Sequence, residues 1–228
     1  EVSAWISIAA LAIAAVISGG ILFEVIHGAH HNVIFPWLTI GKISIEMGYA
    51  VDGLTAMMLV VVTWIGSLIQ IYSVGYMKGE ARFHRFFAYL SLFCGSMLGL
   101  VIANNLLLLF VCWELVGVCS YLLISFYFEK PEAAAAGKKA FLTTKIGDLG
   151  FFLGIAFLFT STGTFMFDGI FHQLGAGHLA PALAGFSALL LFCGAMGKSA
   201  QFPLHVWLPD AMEGPPPVSA LIPAATMV

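Results

Sequence analysis

Long apolar stretches alternate with short polar ones along this chain. A hydrocarbon core about 30 Å thick needs roughly 20 apolar residues of helix to cross it. Residues 2–23, 54–76, 86–103, 105–128, 140–162 and 181–209 meet that need, and residues 218–228 begin a seventh run. The expected fold class is all-α: a polytopic transmembrane helix bundle, with residues 1–228 as a single transmembrane domain. The chain starts at Glu1 and stops part-way along the seventh run, so it reads as a piece of a longer protein. Its first stretch lacks the basic start and small-residue cleavage site of a signal peptide and reads as a transmembrane helix.

The connections carry the polar signals. Residues 24–52 hold HGAHHN, Pro36, Gly41 and Lys42, a mixed pattern that suits a structured loop or short hairpin at the membrane surface. A tight turn at Ala103, Asn104 and Asn105 should start the fourth helix, with Pro131 ending that helix before the fifth span begins at Ala140. Residues 164–180 read as a loop containing Gly and His. In the sixth stretch Pro203 lacks an N–H and clashes with the Ser199 carbonyl, so a broken helix is expected around Lys198 to Pro203. Lys78, Arg82, Arg85, Lys130, Lys138 and Lys139 fall by parity on one side of the membrane, against Lys42 alone on the other. The positive-inside rule makes the basic side cytoplasmic, or its organellar equivalent.

Composition narrows the function. With 61% hydrophobic and 9% charged residues, the chain is no soluble globular domain. Its net charge of -3 and scattered basic residues argue against a nucleic-acid partner. Cys94, Cys112, Cys119 and Cys193 lie in apolar runs without a CxxC pair and read as small buried hydrophobes. His27, His30 and His31 lack the cysteine or carboxylate that would complete a metal set and read as loop histidines. GAMGKS fails as a phosphate loop because Phe192 stands where glycine is needed. With no dinucleotide fingerprint and no cluster-binding cysteine run, no cofactor is expected on this chain.

Candidate chemistry lies in charges at membrane depth. Glu114 sits near the middle of residues 104–128, where a charge costs about 2.5 to 3.5 kcal/mol on insertion scales. Helical spacing puts Phe110, Gly117, Val118, Tyr121 and Ser125 near its face, which should look inward, away from lipid. Lys145 and Asp148, three apart, can pair on one helix face. Two readings stand: a structural pair near the inner surface with Lys145 snorkelling, or a role in proton access. Lys198, in the middle of the sixth stretch, has no acid on its own helix and needs a partner from elsewhere. Gln201, Phe202 and His205 follow it at i+3, i+4 and i+7, a face that would suit a proton wire stepping toward the inner side. Glu114 and Lys198 are expected to pair; at roughly 7 Å and an effective dielectric near 20 they attract by about 2.4 kcal/mol.

Three passages, NNLLLLFVCWELVGVCSYLLISFY, KKAFLTTKIGDLGF and GKSAQFPLHVWLPDAMEGPPPVSALIPAATMV, together resemble the antiporter-like membrane subunits of respiratory complex I, in particular the distal subunit called L in bacteria and subunit 5 in mitochondria. The resemblance covers nearly the whole chain from Asp52 onward. It implies a proton-translocating subunit of an NADH:quinone oxidoreductase and places the family's channel glutamate on Glu114 and its pumping lysine on Lys198. Lys145 and Asp148 match the basic residue and aspartate of the intervening helix, and His205 a more variable position. By the same resemblance NADH, FMN, iron-sulfur clusters and quinone belong to partner subunits. The partners of this chain are then other membrane subunits, the lipid bilayer and protons or Na+. A bacterial inner membrane is the expected location, with the mitochondrial inner membrane or another energy-converting membrane as alternatives. Pro216 replaces the family's threonine and Pro223 its histidine, a change expected to weaken proton transfer beyond Lys198. Competing readings are the large subunit of a multisubunit Na+/H+ antiporter and a structural membrane scaffold.

Overall fold

A computed structural model describes residues 2–41 and 43–228. Lys42, the one basic residue assigned to the outer side, lies outside the described residues. The elements are α1 (Val2–Ile26), β1 (His31–Ile40), β2 (Ile43–Val51), α2 (Gly53–Tyr76), α3 (Phe83–Ile102), α4 (Leu106–Ile124), α5 (Pro131–Thr162), α6 (Phe167–Gly175), α7 (Pro181–Lys198) and α8 (Pro216–Ser219). Two 3-10 turns, Leu204–Trp207 and Asp210–Glu213, follow α7, and a π-helical segment, Ala220–Thr226, continues α8. Among the described residues six helices, α1 to α5 and α7, are long and apolar enough to cross a membrane, and the chain is an integral multi-pass membrane protein.

Small and hydroxyl residues let the helices approach closely and hydrogen-bond, and bulky apolar side chains fill the space between them by van der Waals packing. On α1 the buried positions are Ala4, Ile8, Leu11, Ala15 and Ser18, while Trp5, Ile6, Ile13, Val16 and Ile17 face outward. Polar links pin this helix to its neighbours: Ser18 Oγ to Thr63 Oγ1 at 2.8 Å, Ser7 Oγ to Gln70 Oε1 at 2.8 Å and Ser7 Oγ to Ser91 Oγ at 2.6 Å. The main core lies where α1, α2, α3 and α4 meet, around Phe86, Phe87, Leu90, Phe93 and Leu123. Val218, Leu221 and Ile222 return from the end of the chain to enter the same core. All four cysteines are free; Cys94, Cys112 and Cys119 are buried and Cys193 is half-buried.

The strands β1 and β2 pair as an antiparallel hairpin with a bulge between Pro36 and Leu38. One end of the bundle is closed by this hairpin, the turn before α4 and α6. Asn104 Nδ2 donates to Val33 O at 3.3 Å, Leu106 N to Phe165 O at 2.9 Å, and Asn32 Nδ2 to Asp168 Oδ2 at 2.9 Å. The opposite end carries the Arg82–Glu129 and Lys139–Asp210 ion pairs. Loops grouped by parity therefore meet on common sides.

Several boundaries differ from expectation. Pro131 does not end the fourth helix: α4 stops at Ile124, and Pro131 opens α5 at its first helical position. There its missing N–H is one of the unpaired donors every helix start has, and its fixed φ suits the helix. The run Ala133 to Ala136 then carries helix nine residues ahead of the expected start at Ala140. Residues 164–180 contain the short helix α6 rather than only loop. The sixth stretch breaks as expected, but the α-helix ends at Lys198; Ala200 then takes a positive φ of 48° and the backbone continues in 3-10 turns.

Candidate functional site

Three helices bring the candidate charges together. Asn105 caps α4, its side-chain oxygen accepting from Leu108 N at 2.7 Å. Nine residues of helix at 1.5 Å rise then place Glu114 roughly 13 Å into the bundle. Lys145 and Asp148 lie near the middle of the 32-residue α5. Lys198 is the last residue of α7, where the helix break sets its ammonium beside α5. The end of α7 is sealed by Trp207, fully buried, whose indole N–H donates to Gly197 O at 3.0 Å and satisfies one carbonyl that the broken helix leaves free.

The four charges form an alternating row. The Lys145 ammonium pairs with the Glu114 carboxylate on one side. On the other, Asp148 Oδ2 stands 3.8 Å from Lys145 Nζ and 3.7 Å from Lys198 Nζ, hydrogen-bonded to neither. Its partner oxygen, Oδ1, accepts from Trp113 Nε1 at 2.6 Å. The row runs from partly exposed to buried: the side chains of Glu114 and Lys145 are 27% and 32% exposed, those of Asp148 and Lys198 2% and 3%. Two anions and two cations neutralise one another, which lowers a cost that an unpaired charge at this depth would bear alone. Beside Lys198 an apolar cavity of about 270 Å³ opens between α2, α3 and α4, bordered by Met58, Met97, Leu100, Val116 and Trp113.

This arrangement corrects the pairing read from the sequence. Lys198 does not meet Glu114 directly; Lys145 and Asp148 of α5 stand between them. Lys145 is no snorkelling residue near a helix start, because α5 begins 14 residues before it. Gln201, Phe202 and His205 do not continue the face of Lys198, since helical spacing ends with the helix. All three are exposed, Phe202 at 82%, and His205 lies on a 3-10 turn. The face of Glu114 is a border rather than an interior: Gly117 is buried, Tyr121 and Ser125 half-buried, and Val118 38% exposed. Pro223 lies half-buried in the π-helical segment. Of the loop histidines, His31 pairs with Glu24 at 3.4 Å and His27 Nδ1 lies 2.7 Å from Phe23 O.

Trp113 and Trp207 were not among the expected residues. Their signal is chemical: an indole N–H inside a membrane bundle needs an acceptor, and neither helical periodicity nor hydropathy reports it. Outside the spans, the hydrogen-bonded Glu129 carboxylate raises the basicity of the Arg82 guanidinium, which in turn holds Glu129 below the usual carboxylate range.

Residues 103–228 match the family described as NADH:quinone oxidoreductase/Mrp antiporter, TM, and residues 37–87 match NADH-Ubiquinone oxidoreductase (complex I), chain 5 N-terminus. The chain is 50% identical over 233 residues to NAD(P)H-quinone oxidoreductase chain 5 of Synechocystis sp., covering 100% of this chain and 34% of that one. To the chloroplastic NAD(P)H-quinone oxidoreductase subunit 5 of Mesostigma viride it is 52% identical over 226 residues, covering 97% and 35%. The chain thus spans about a third of the length of these curated relatives. Among solved structures, an Mrp complex from Dietzia sp. superposes with a TM-score of 0.80 at 28% identity, covering 100% of this chain and 26% of the other. An archaeal membrane-bound sulfane sulfur reductase shares the fold, with a TM-score of 0.81 at 19% identity over 96% of this chain and 44% of the other.

Proposed function

The chain belongs to the NADH:quinone oxidoreductase/Mrp antiporter transmembrane family, and on that premise we propose that it is a proton-translocating part of a membrane subunit of an NAD(P)H:quinone oxidoreductase. The observation that carries this reading is the row Glu114, Lys145, Asp148, Lys198 across α4, α5 and α7. At about 4 Å and an effective dielectric of 20, the Coulomb attraction within one ion pair is roughly 4 kcal/mol before desolvation and screening reduce it, so exchanging partners along the row shifts the electrostatic balance at each charge. Protonating Glu114 frees Lys145 to turn to Asp148. Asp148 is then shared between two ammonium groups, and the attraction that retains the proton of Lys198 weakens. Water admitted to the cavity beside Lys198 would accept that proton, and restoring the Glu114 charge with a proton taken up by Lys198 reloads the site.

The two carboxylates face ammonium groups, a pairing that favours carriage of the proton over a metal cation. NADH, FMN, the iron-sulfur clusters and quinone belong to partner subunits, and other membrane subunits flank this one in an energy-converting membrane. The relatives named as NAD(P)H-quinone oxidoreductase subunits support this assignment.

The test uses the full-length subunit in its complex, in sealed vesicles. Lys198→Ala should lower proton pumping per electron at least about tenfold, as expected when a buried charged partner worth over roughly 1.4 kcal/mol is removed, while NAD(P)H oxidation continues. Normal pumping by the assembled variant would remove Lys198 from the path. A second reading, a cation/proton antiporter without redox partners, draws on the Mrp complex at 28% identity. It requires Na+-driven pH change in vesicles supplied with no NAD(P)H.

A further inference from the structure

Among the described residues the Lys198 ammonium has one anionic neighbour within 4 Å, Asp148, at 3.7 Å, and on another side it borders a cavity large enough for it to enter. Something must hold it at Asp148. Two residues of α4, one helical turn apart and so on a single face, meet it there. The first is Gly117: a Cβ placed on it would lie 2.5 Å from Lys198 Nζ, so the ammonium occupies the space that any larger side chain would fill. The second is Trp113, whose ring centroid is 5.8 Å from the same nitrogen, within the range in which an indole attracts a cation. The indole also reaches Asp148, donating to Oδ1 at 2.6 Å. That bond turns Oδ2 toward the gap between Lys145 and Lys198, giving almost equal separations of 3.8 and 3.7 Å.

We propose that Trp113 and Gly117 form a socket that positions the relay: Trp113 clamps Asp148 and walls the Lys198 ammonium on one side, and Gly117 provides the recess in which the ammonium rests. Both are positioning residues acting through Asp148 and Lys198. Their role in pumping rests on the reading above, whereas the socket itself is a geometric statement that stands or falls separately. Phenylalanine at 113 keeps an aromatic wall but has no N–H donor. Alanine at 117 fills the recess.

The experiment is a pair of double-mutant cycles in the assembled complex, read as melting temperature and as protons pumped per electron. Gly117→Ala should push the Lys198 ammonium away from Asp148, lower the melting temperature by about 3 °C or more, and cut pumping at least about fivefold. In a Lys198→Ala background the same change should lower the melting temperature no further, because the added methyl then enters vacated space. Trp113→Phe should behave likewise, costly in the parent and without further thermal cost in an Asp148→Ala background. If Gly117→Ala alone fails to assemble, recovery of assembly in Gly117→Ala/Lys198→Ala supports the recess and continued failure overturns it. Equal thermal losses in both backgrounds would reduce Gly117 and Trp113 to helix packing and overturn the socket. Normal pumping by Lys198→Ala would instead overturn the proposed function, while the thermal cycles would still support or overturn the socket by themselves.

Discussion

Asp148 is the residue on which the charged row turns. It is 2% exposed, and its two oxygens divide their work: Oδ1 takes the Trp113 N–H and Oδ2 faces two ammonium groups. Replacing it with asparagine leaves Lys145 and Lys198 facing each other across a neutral amide in a buried site. Removing one partner of a buried pair costs about 3 to 5 kcal/mol, whereas partly exposed pairs contribute roughly 1 kcal/mol or less. Asp148→Asn should therefore lower the amount of assembled complex and its melting temperature far more than Glu114→Gln, whose carboxylate is 27% exposed. Glu114→Gln should still lower pumping, since it removes the charge that Lys145 leaves and returns to. Quantifying assembled subunit by native gel beside vesicle acidification separates the two effects.

At the scale of the element, helix ends and helix contacts set where those charges lie. Asp52 caps α2, its Oδ1 accepting from Thr55 N at 2.8 Å, and that bond holds its carboxyl below the ordinary aspartate range. A depressed folded value means that the stabilisation is complete above the unfolded aspartate value, about 3.9, and is lost as pH falls through the depressed one. Asp52→Ala should cost about 1 kcal/mol at neutral pH, with the difference from the parent shrinking in acid, measurable by thermal melting across pH. Between α5 and α7 the contact is close: a Cβ on Gly147 would stand 2.6 Å from Cys193 O and 3.2 Å from Gly197 Cα. Since the first obstacle is backbone, Gly147→Ala must move one helix, at a cost of about 1 to 3 kcal/mol, and Lys198 moves with α7. Lower melting temperature together with reduced pumping is the expected result; an unchanged Gly147→Ala complex would show that α7 shifts freely.

For the molecule as a whole, the two ends of the bundle differ in kind. One carries the hairpin, the Asn104–Asn105 turn and α6, joined by hydrogen bonds. The other carries Arg82 with Glu129, Lys139 with Asp210, and the exposed Lys138. Single cysteines at Lys138 and at His178, both exposed, should react with a membrane-impermeant maleimide from opposite sides, Lys138→Cys from the cytoplasmic or equivalent side. Labelling of both from one side would contradict the topology. Native Cys94, Cys112 and Cys119 are buried and should stay silent.

Hydropathy, proline chemistry and residue identity were sufficient to predict the membrane-spanning stretches, a break near Pro203 and two mid-span charges, Glu114 and Lys198, because each depends on a residue and its immediate neighbours. The resemblance carried by three motifs extended that reading to a family. The sequence could not say which cation meets which anion. That depends on the rotation of α4, α5 and α7 about their axes, which in lipid is set by contacts of Gly117, Gly147 and Gly154 rather than by any apolar stripe, for these helices are apolar nearly all round. The early start of α5 at Pro131 brought Lys145 deep into the bundle, and the end of α7 at Lys198 turned His205 out of line. Tertiary packing alone therefore placed Lys145 and Asp148 between Glu114 and Lys198, and brought the indole of Trp113 to the carboxylate that joins them.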